Sequence, residues 1–276
     1  MMHKRAFTMM ELIFVIVIMG VLAKFGVDIM QQIYNNFVYS QRTNVLQAQS
    51  EAAVNQIANR LQNRIKDSVI ASTLNHGAYQ PLGSNTAAGS TVLEWVGIDY
   101  DGWQSLPPLW SGTIDLTDSN GTNLKSPRTS SRSGFYNGGT AAVYFLGSNV
   151  DVLSGFGWQA AAFADQSHTM HPVNVGAGQL TPAVGSFSGR DVYEFYQLAN
   201  SAFAVELNGR ILTLYTDYQP WDGEIYTAGT ASILMENVTT FTFTKVGDII
   251  KLQVCIGDND LTGEGEYSLC KERTVF

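Results

Sequence analysis

The sequence has few charges. Lys, Arg, Asp and Glu together make up 14% of its 276 residues, against roughly 25% in an average soluble protein. Positive charge is the scarcer sign, with 16 Lys and Arg against 24 Asp and Glu and a net charge of -8. That balance argues against nucleic acid as the main partner, because binding a phosphate backbone needs a basic face. Only 2 cysteines are present, too few for a disulfide-dense scaffold and, on their own, an unpromising metal site. A Walker loop, a nucleophile elbow and a His-rich zinc motif are all missing, so the chain reads as a non-enzyme that requires no cofactor. Mean hydropathy near zero excludes a polytopic membrane protein, and 45% hydrophobic residues exclude a wholly disordered one.

Helix breakers are unevenly placed. Only two of the 26 glycines, Gly20 and Gly26, precede residue 77, and the first proline is Pro81. Gly and Pro inside a helix cost about 1 and 3 kcal/mol. This division predicts one long N-terminal helix followed by a turn-rich β domain, an α+β chain in which the helix packs on an antiparallel sheet head.

From Phe7 to Ala23 the only charged residue is Glu11. The run is long enough to span a bilayer if snorkelling by Lys24 extends it towards Met30. Lys4 and Arg5 precede it and would keep the N-terminus cytoplasmic. A cleavable signal peptide would place small residues after the apolar run, whereas Ala6 stands before it. A plain anchor leaves Glu11 unexplained, since a carboxylate in hydrocarbon is costly and marks a function with a partner.

The segment Lys4-Arg5-Ala6-Phe7-Thr8-Met9-Met10-Glu11-Leu12 resembles the processing signature of type IV pilins and type II secretion pseudopilins. The resemblance implies cleavage by a prepilin peptidase between Ala6 and Phe7, N-methylation of Phe7, and assembly in which Glu11 pairs with the free amine of Phe7 on a neighbouring subunit. It implies as partners other pilin or pseudopilin subunits, the inner-membrane assembly platform and the lipid bilayer, with the head periplasmic and assembly powered by a separate ATPase. Ala6 stands where the family usually has Gly, and Asp28 where many major pilins have Pro. The segment 51–70 also resembles the corresponding helix of J-type minor pseudopilins and W-type minor pilins, which points to a minor or tip subunit supporting protein secretion. The other reading is a pilus-borne adhesin whose head binds a surface or glycan through residues 99–190.

The resulting organisation is a leader at 1–6, a membrane segment at 7–30, an amphipathic stem at 31–71 and a β-rich head at 72–276. The stem shows a stripe of Val45, Ala48, Ala52, Ala53, Ile57, Leu61, Ile65 and Val69 at helical spacing. Ile57, Leu61, Ile65 and Val69 are expected in the core, and Arg60, Arg64, Lys66 and Asp67 on a solvated face. Strands are expected at 91–98, 141–146, 192–198, 203–207, 210–215, 239–245 and 249–255, with hairpins at Asn208-Gly209 and Val246-Gly247-Asp248. Residues 99–140 and 147–190 read as long surface connections with short embedded strands.

Cys255 and Cys270 would form a disulfide in an oxidising compartment, closing a loop that the pilin family often pins in this way; two free thiols are the alternative. Inside that loop, Asp258, Asp260, Glu264 and Glu266 partly copy a calcium loop, with Leu269 where a closing Glu belongs. Calcium is therefore a candidate ligand, and an acidic solvated turn is the competing reading. His168 and His171 form a weak candidate metal pair. The five tryptophans, Trp95, Trp103, Trp110, Trp158 and Trp221, are either core anchors or a sugar-binding face. Asp118-Ser119-Asn120-Gly121-Thr122 resembles the extended bacterial N-glycosylation sequon.

Overall fold

The computed structural model of the chain describes residues 8–83, 89–130, 141–257 and 268–276. The fold is α+β: a long helix, α1 (Met9–Gln62), followed by a head of antiparallel sheets. Two compact units divide at residue 49.

In the first unit α1 exposes apolar side chains all around, from Leu12 through Met30 and on to Phe37. It is long and apolar enough to cross a membrane. From Ser50 onward the same helix follows globular rules. Ser50, Ala53, Val54, Ile57, Ala58 and Leu61 are buried at three- and four-residue spacing. Ile65 and Val69 are buried too, as the stripe predicts, whereas Val45, Ala48 and Ala52 are exposed.

The helix ends at Gln62 instead of continuing to Ala71, because the next residues exchange the helical ladder for β pairing. The Ile65 N–H donates to Val96 O at 2.9 Å, and Asn63 O accepts from the Ile98 N–H at 2.7 Å. Arg64, expected on a solvated face, is only 2% exposed. Its Nη1 donates to Leu61 O at 2.8 Å and to Phe276 O at 3.4 Å, while Nη2 donates to Asp248 O at 2.8 Å. A planar guanidinium can serve three carbonyls at once. It therefore caps the helix C-terminus and ties it to the far end of the chain.

The first sheet begins with β1 (Ile70–Ser72), β2 (Tyr79–Pro81) and β3 (Val92–Gly97). The chain then leaves it to build a second sheet: β4 (Asp115–Asn120), β5 (Asn123–Lys125), β6 (Ala141–Phe145), β7 (Met170–Gly176), β8 (Gln179–Pro182) and β9 (Tyr196–Ala199). It returns through β10 (Ser201–Asn208), β11 (Ile211–Tyr218) and β12 (Thr230–Met235). The spatial order of the first sheet is β12-β11-β10-β3-β1-β2 and of the second β4-β5-β8-β7-β6-β9. A third, three-stranded sheet holds β13 (Val238–Val246), β14 (Ile249–Gly257) and β15 (Ser268–Val275).

The segments expected to be surface connections thus contain four strands of a six-stranded sheet. Two of them, β5 and β8, each bury a single residue, Leu124 and Leu180, too little to stand out against their Ser, Thr and Asn neighbours. Strand β6 of the inserted sheet is buried on both faces. In β6, Ala142 and Tyr144 enter a core shared with Val92, Val96 and Ala204 of the first sheet. Ala141, Val143 and Phe145 enter a second core with Trp110, Leu180 and Phe187. That is the period-two alternation of a strand with two covered faces.

Both expected hairpins form. The paired residues Asn208↔Ile211 and Val246↔Ile249 leave two-residue turns that begin at Gly209 (φ 61°) and Gly247 (φ 61°), as a turn with positive φ at its first central position requires. Replacing Arg64 with Ala should destabilise the head by roughly 2–4 kcal/mol in urea unfolding, because buried carbonyls lose their donor. Arg64→Lys should recover only part of this, since an ammonium cannot fork.

Candidate functional site

Glu11 stands in the first turn of α1. Thr8 precedes the helix. Its carbonyl accepts from the Glu11 and Leu12 N–H groups at 3.1 and 3.2 Å, and its Oγ1 accepts from the Glu11 N–H at 3.4 Å. Thr8-Met9-Met10-Glu11 therefore has the form of a capping box, with the acid at the positive end of the helix dipole. This local reason for an acid at position 11 is independent of any neighbouring subunit. Ala6, Phe7, Asp258, Asp260, Glu264 and Glu266 lie outside the described residues, and with them the proposed cleavage point and calcium loop.

Cys255 and Cys270 form a disulfide. They are directly opposed partners in the β14–β15 ladder, with Cα atoms 4.0 Å apart. The bridge therefore joins neighbouring strands across the 15-residue separation, a loop whose closure is worth about 3 kcal/mol in the chain-entropy model.

The other candidates separate by burial. Trp95, Trp110, Trp158 and Trp221 are core residues, and Trp103 alone is substantially exposed, at 45%. The tryptophans therefore do not form a common platform. His171 is buried beside Phe145 and Phe187, and His168 stacks on Phe163 with ring centroids 3.7 Å apart. Burial, with smaller contributions from His168 and Arg190, pushes His171 down to about 4. Among the described residues no group of three or more His, Cys, Asp or Glu could hold a metal ion.

A polar network that the sequence reading did not identify lies on the inner face of the first sheet. Glu94 is fully buried between Val92 and Val96. Its Oε1 accepts from Ser72 Oγ at 2.5 Å and faces His76 Nδ1 at 2.8 Å, and its Oε2 accepts from Tyr218 OH at 3.1 Å. His76 Nε2 faces Trp158 O at 2.6 Å. Glu206, on the neighbouring strand β10, accepts from Tyr215 OH at 2.7 Å and Tyr226 OH at 3.1 Å. Tyr226 OH in turn accepts from the Asn75 N–H at 2.7 Å. Both ring nitrogens of His76 are engaged and Ser72 points its proton at the carboxylate, so this is a structural tie and not a nucleophile with its base. The available signal was a lone acid in an apolar run, Val92-Leu93-Glu94-Trp95-Val96, the same signal that singles out Glu11.

Apart from this network, a half-open cavity of about 460 Å³ is lined by Arg60, Asn63, Asp101, Asn200, Phe203 and Asp217, among others, and by none of the network's side chains. It combines hydrogen-bonding groups with the aromatic side chains of Tyr100 and Phe203. No protein-family model matches this chain, and no curated protein or solved structure matches it either.

The network gives the head a pH dependence. Burial pulls His76 down, but hydrogen bonding and charge from Glu94, with the Trp158 carbonyl, outweigh it and leave the imidazole above its usual 6.5. A raised pKa means the stabilisation is complete below about 6.5 and is lost as pH rises through the folded value. His171 has the opposite sign: its contribution is complete above 6.5 and is lost as pH falls towards about 4. In thermal melts across this range, His76→Gln should flatten the alkaline limb, and His171→Phe should flatten the acid limb.

Proposed function

We propose that the chain is a prepilin-like structural subunit. It is cleaved between Ala6 and Phe7, N-methylated at Phe7, and assembled into a type II secretion pseudopilus or a type IV pilus. The observation that carries the proposal is the apolar segment after Ala6, whose only charged residue up to Ala23 is Glu11, in the first turn of a membrane-length helix. Lys4 and Arg5 ahead of it favour a cytoplasmic N-terminus and a periplasmic head. The Cys255–Cys270 disulfide suits that compartment.

In this reading the first part of α1 sits in the inner membrane and later packs against the helices of other subunits. Glu11 meets the free amine of Phe7 on a neighbour, in a medium that screens charge poorly. The prepilin peptidase and the inner-membrane platform act on the chain, which does no catalysis of its own. Asp28 in place of Pro, and a head that carries a complete inserted sheet, favour a minor or tip subunit of the J or W type.

Mass spectrometry of the protein purified from membranes of a host with a prepilin peptidase should show N-methyl-Phe7 as the first residue. An intact Met1 terminus would sink the proposal. Glu11→Val should leave cleavage unchanged yet lower incorporation into filaments at least tenfold, as scored by shearing and immunoblot. Unimpaired assembly of that variant would remove the proposed pairing.

The cavity lined by Tyr100 and Asp101, at the start of the expected 99–190 segment, and by Arg60, Asn200, Phe203 and Asp217 outside it, favours a second reading, a pilus-borne adhesin that binds a surface glycan. Saturable binding of the full-length chain to a glycan array, lost in Phe203→Ala, would select it. An array without signal, together with loss of secretion on deletion, selects the assembly role.

A further inference from the structure

Two Asn-x-Ser/Thr triplets occur in the sequence, Asn120-Gly121-Thr122 and Asn237-Val238-Thr239. Such a triplet is the acceptor pattern for N-linked glycan transfer, and the structure distinguishes the two. Asn237 has φ 61° between β12 and β13, and its carbonyl accepts from the Gly257 N–H at 3.2 Å. The Thr239 hydroxyl donates to Cys255 O at 3.2 Å inside the third sheet. This triplet is built into a ladder, and Met235 stands two residues before its Asn.

Asn120 ends β4, and the turn to β5 follows it. Asp118, Asn120 and Thr122 fall at alternate positions, and all three are exposed. Asn120 Oδ1 accepts from the Thr122 N–H and Oγ1, both at 2.9 Å, and from the Asn123 N–H at 3.0 Å. These bonds fix the amide oxygen towards the turn, while Nδ2 has no hydrogen bond among the described residues. β4 is an edge strand with one neighbour, and its pairing with β5 is interrupted between Asp115↔Lys125 and Asn120↔Asn123. Bonds from the Phe187 N–H and Ser186 Oγ to Gly121 O, each 2.8 Å, hold the tip down. β4, at the edge and paired to β5 at its two ends, can open locally while β5 stays paired to β8.

We propose that Asn120 is an N-glycan acceptor, with Asp118 and Thr122 as the side chains that a transferase reads on either side of it. The co-substrate is an oligosaccharide linked to a polyprenyl diphosphate. Asn120 Nδ2 forms a bond to the anomeric carbon as the bond from that carbon to the diphosphate oxygen breaks. One amide proton passes to a base of the transferase, polyprenyl diphosphate leaves, and nothing is oxidised or reduced. In cells the modification rests on the topology proposed above, which places the head on the side of the membrane where such donors are presented.

The test uses the full-length chain in detergent, a purified bacterial oligosaccharyltransferase of the acid-requiring type and its polyprenyl-diphosphate oligosaccharide, with peptide mass spectrometry as the readout. One glycan on Asn120 and none on Asn237 is expected. Asn120→Gln should abolish the product, and Asp118→Ala should lower it at least tenfold. An unmodified wild-type chain, where a control acceptor peptide is modified in the same reaction, would overturn the assignment. So would a glycan on Asn237 or an undiminished Asp118→Ala product. The same chain co-expressed with the transferase separates the two claims: modification in vitro but not in cells, with Cys255 and Cys270 reduced, overturns the topology and leaves the acceptor assignment standing.

Discussion

A carboxylate in the middle of a strand covered on both faces constrains everything around it. Glu94 has no access to water, and an unpaired charge there would cost several kcal/mol. Its partners come from three separate elements: Ser72 on β1, His76 in the turn after it, and Tyr218 at the end of β11. His76 in turn reaches the carbonyl of Trp158 in the inserted segment. Glu94 is therefore satisfied only when β1, β3 and β11 are assembled in one sheet, and the insertion takes part by holding His76 against it. Glu206 repeats the device one strand away, through Tyr215 and Tyr226. Shifting β3 or β10 by one residue would leave an acid without partners, so the network selects a single register.

The long helix meets two different environments. Up to about Met30 its exposed side chains are apolar on nearly every side, which suits lipid or other helices but not water. From Ser50 it narrows to a buried stripe. Arg64 then replaces the helical ladder with a fork onto Leu61, Asp248 and Phe276. The end of the helix and the end of the chain are held by one side chain. The disulfide, by contrast, reinforces a strand pair that is already in register.

Much of this organisation could be read directly from residues. The apolar run with its single acid, the scarcity of breakers before residue 77, the two glycine hairpins, the paired cysteines and the burial of Ile57, Leu61, Ile65 and Val69 are all local patterns. Hydrophobic period and turn chemistry act over a few residues, so sequence spacing captures them.

What escaped has a common cause. Whether Arg64 is solvated depends on carbonyls 184 and 212 residues away, and Glu94 depends on a tyrosine 124 residues away. The weak strands β5 and β8 are strands because neighbours complete their ladders, not because their composition demands it. The sequence by itself determined a long helix whose apolar run from Phe7 to Ala23 carries one acid, a breaker-rich antiparallel head and its local turns. The tertiary structure alone decided where the helix stops, that the Gly- and Ser-rich insertion is a second sheet, and which charges are buried. These depend on pairing across long sequence separations, where the cost of an unsatisfied polar group is set by partners that no local pattern specifies.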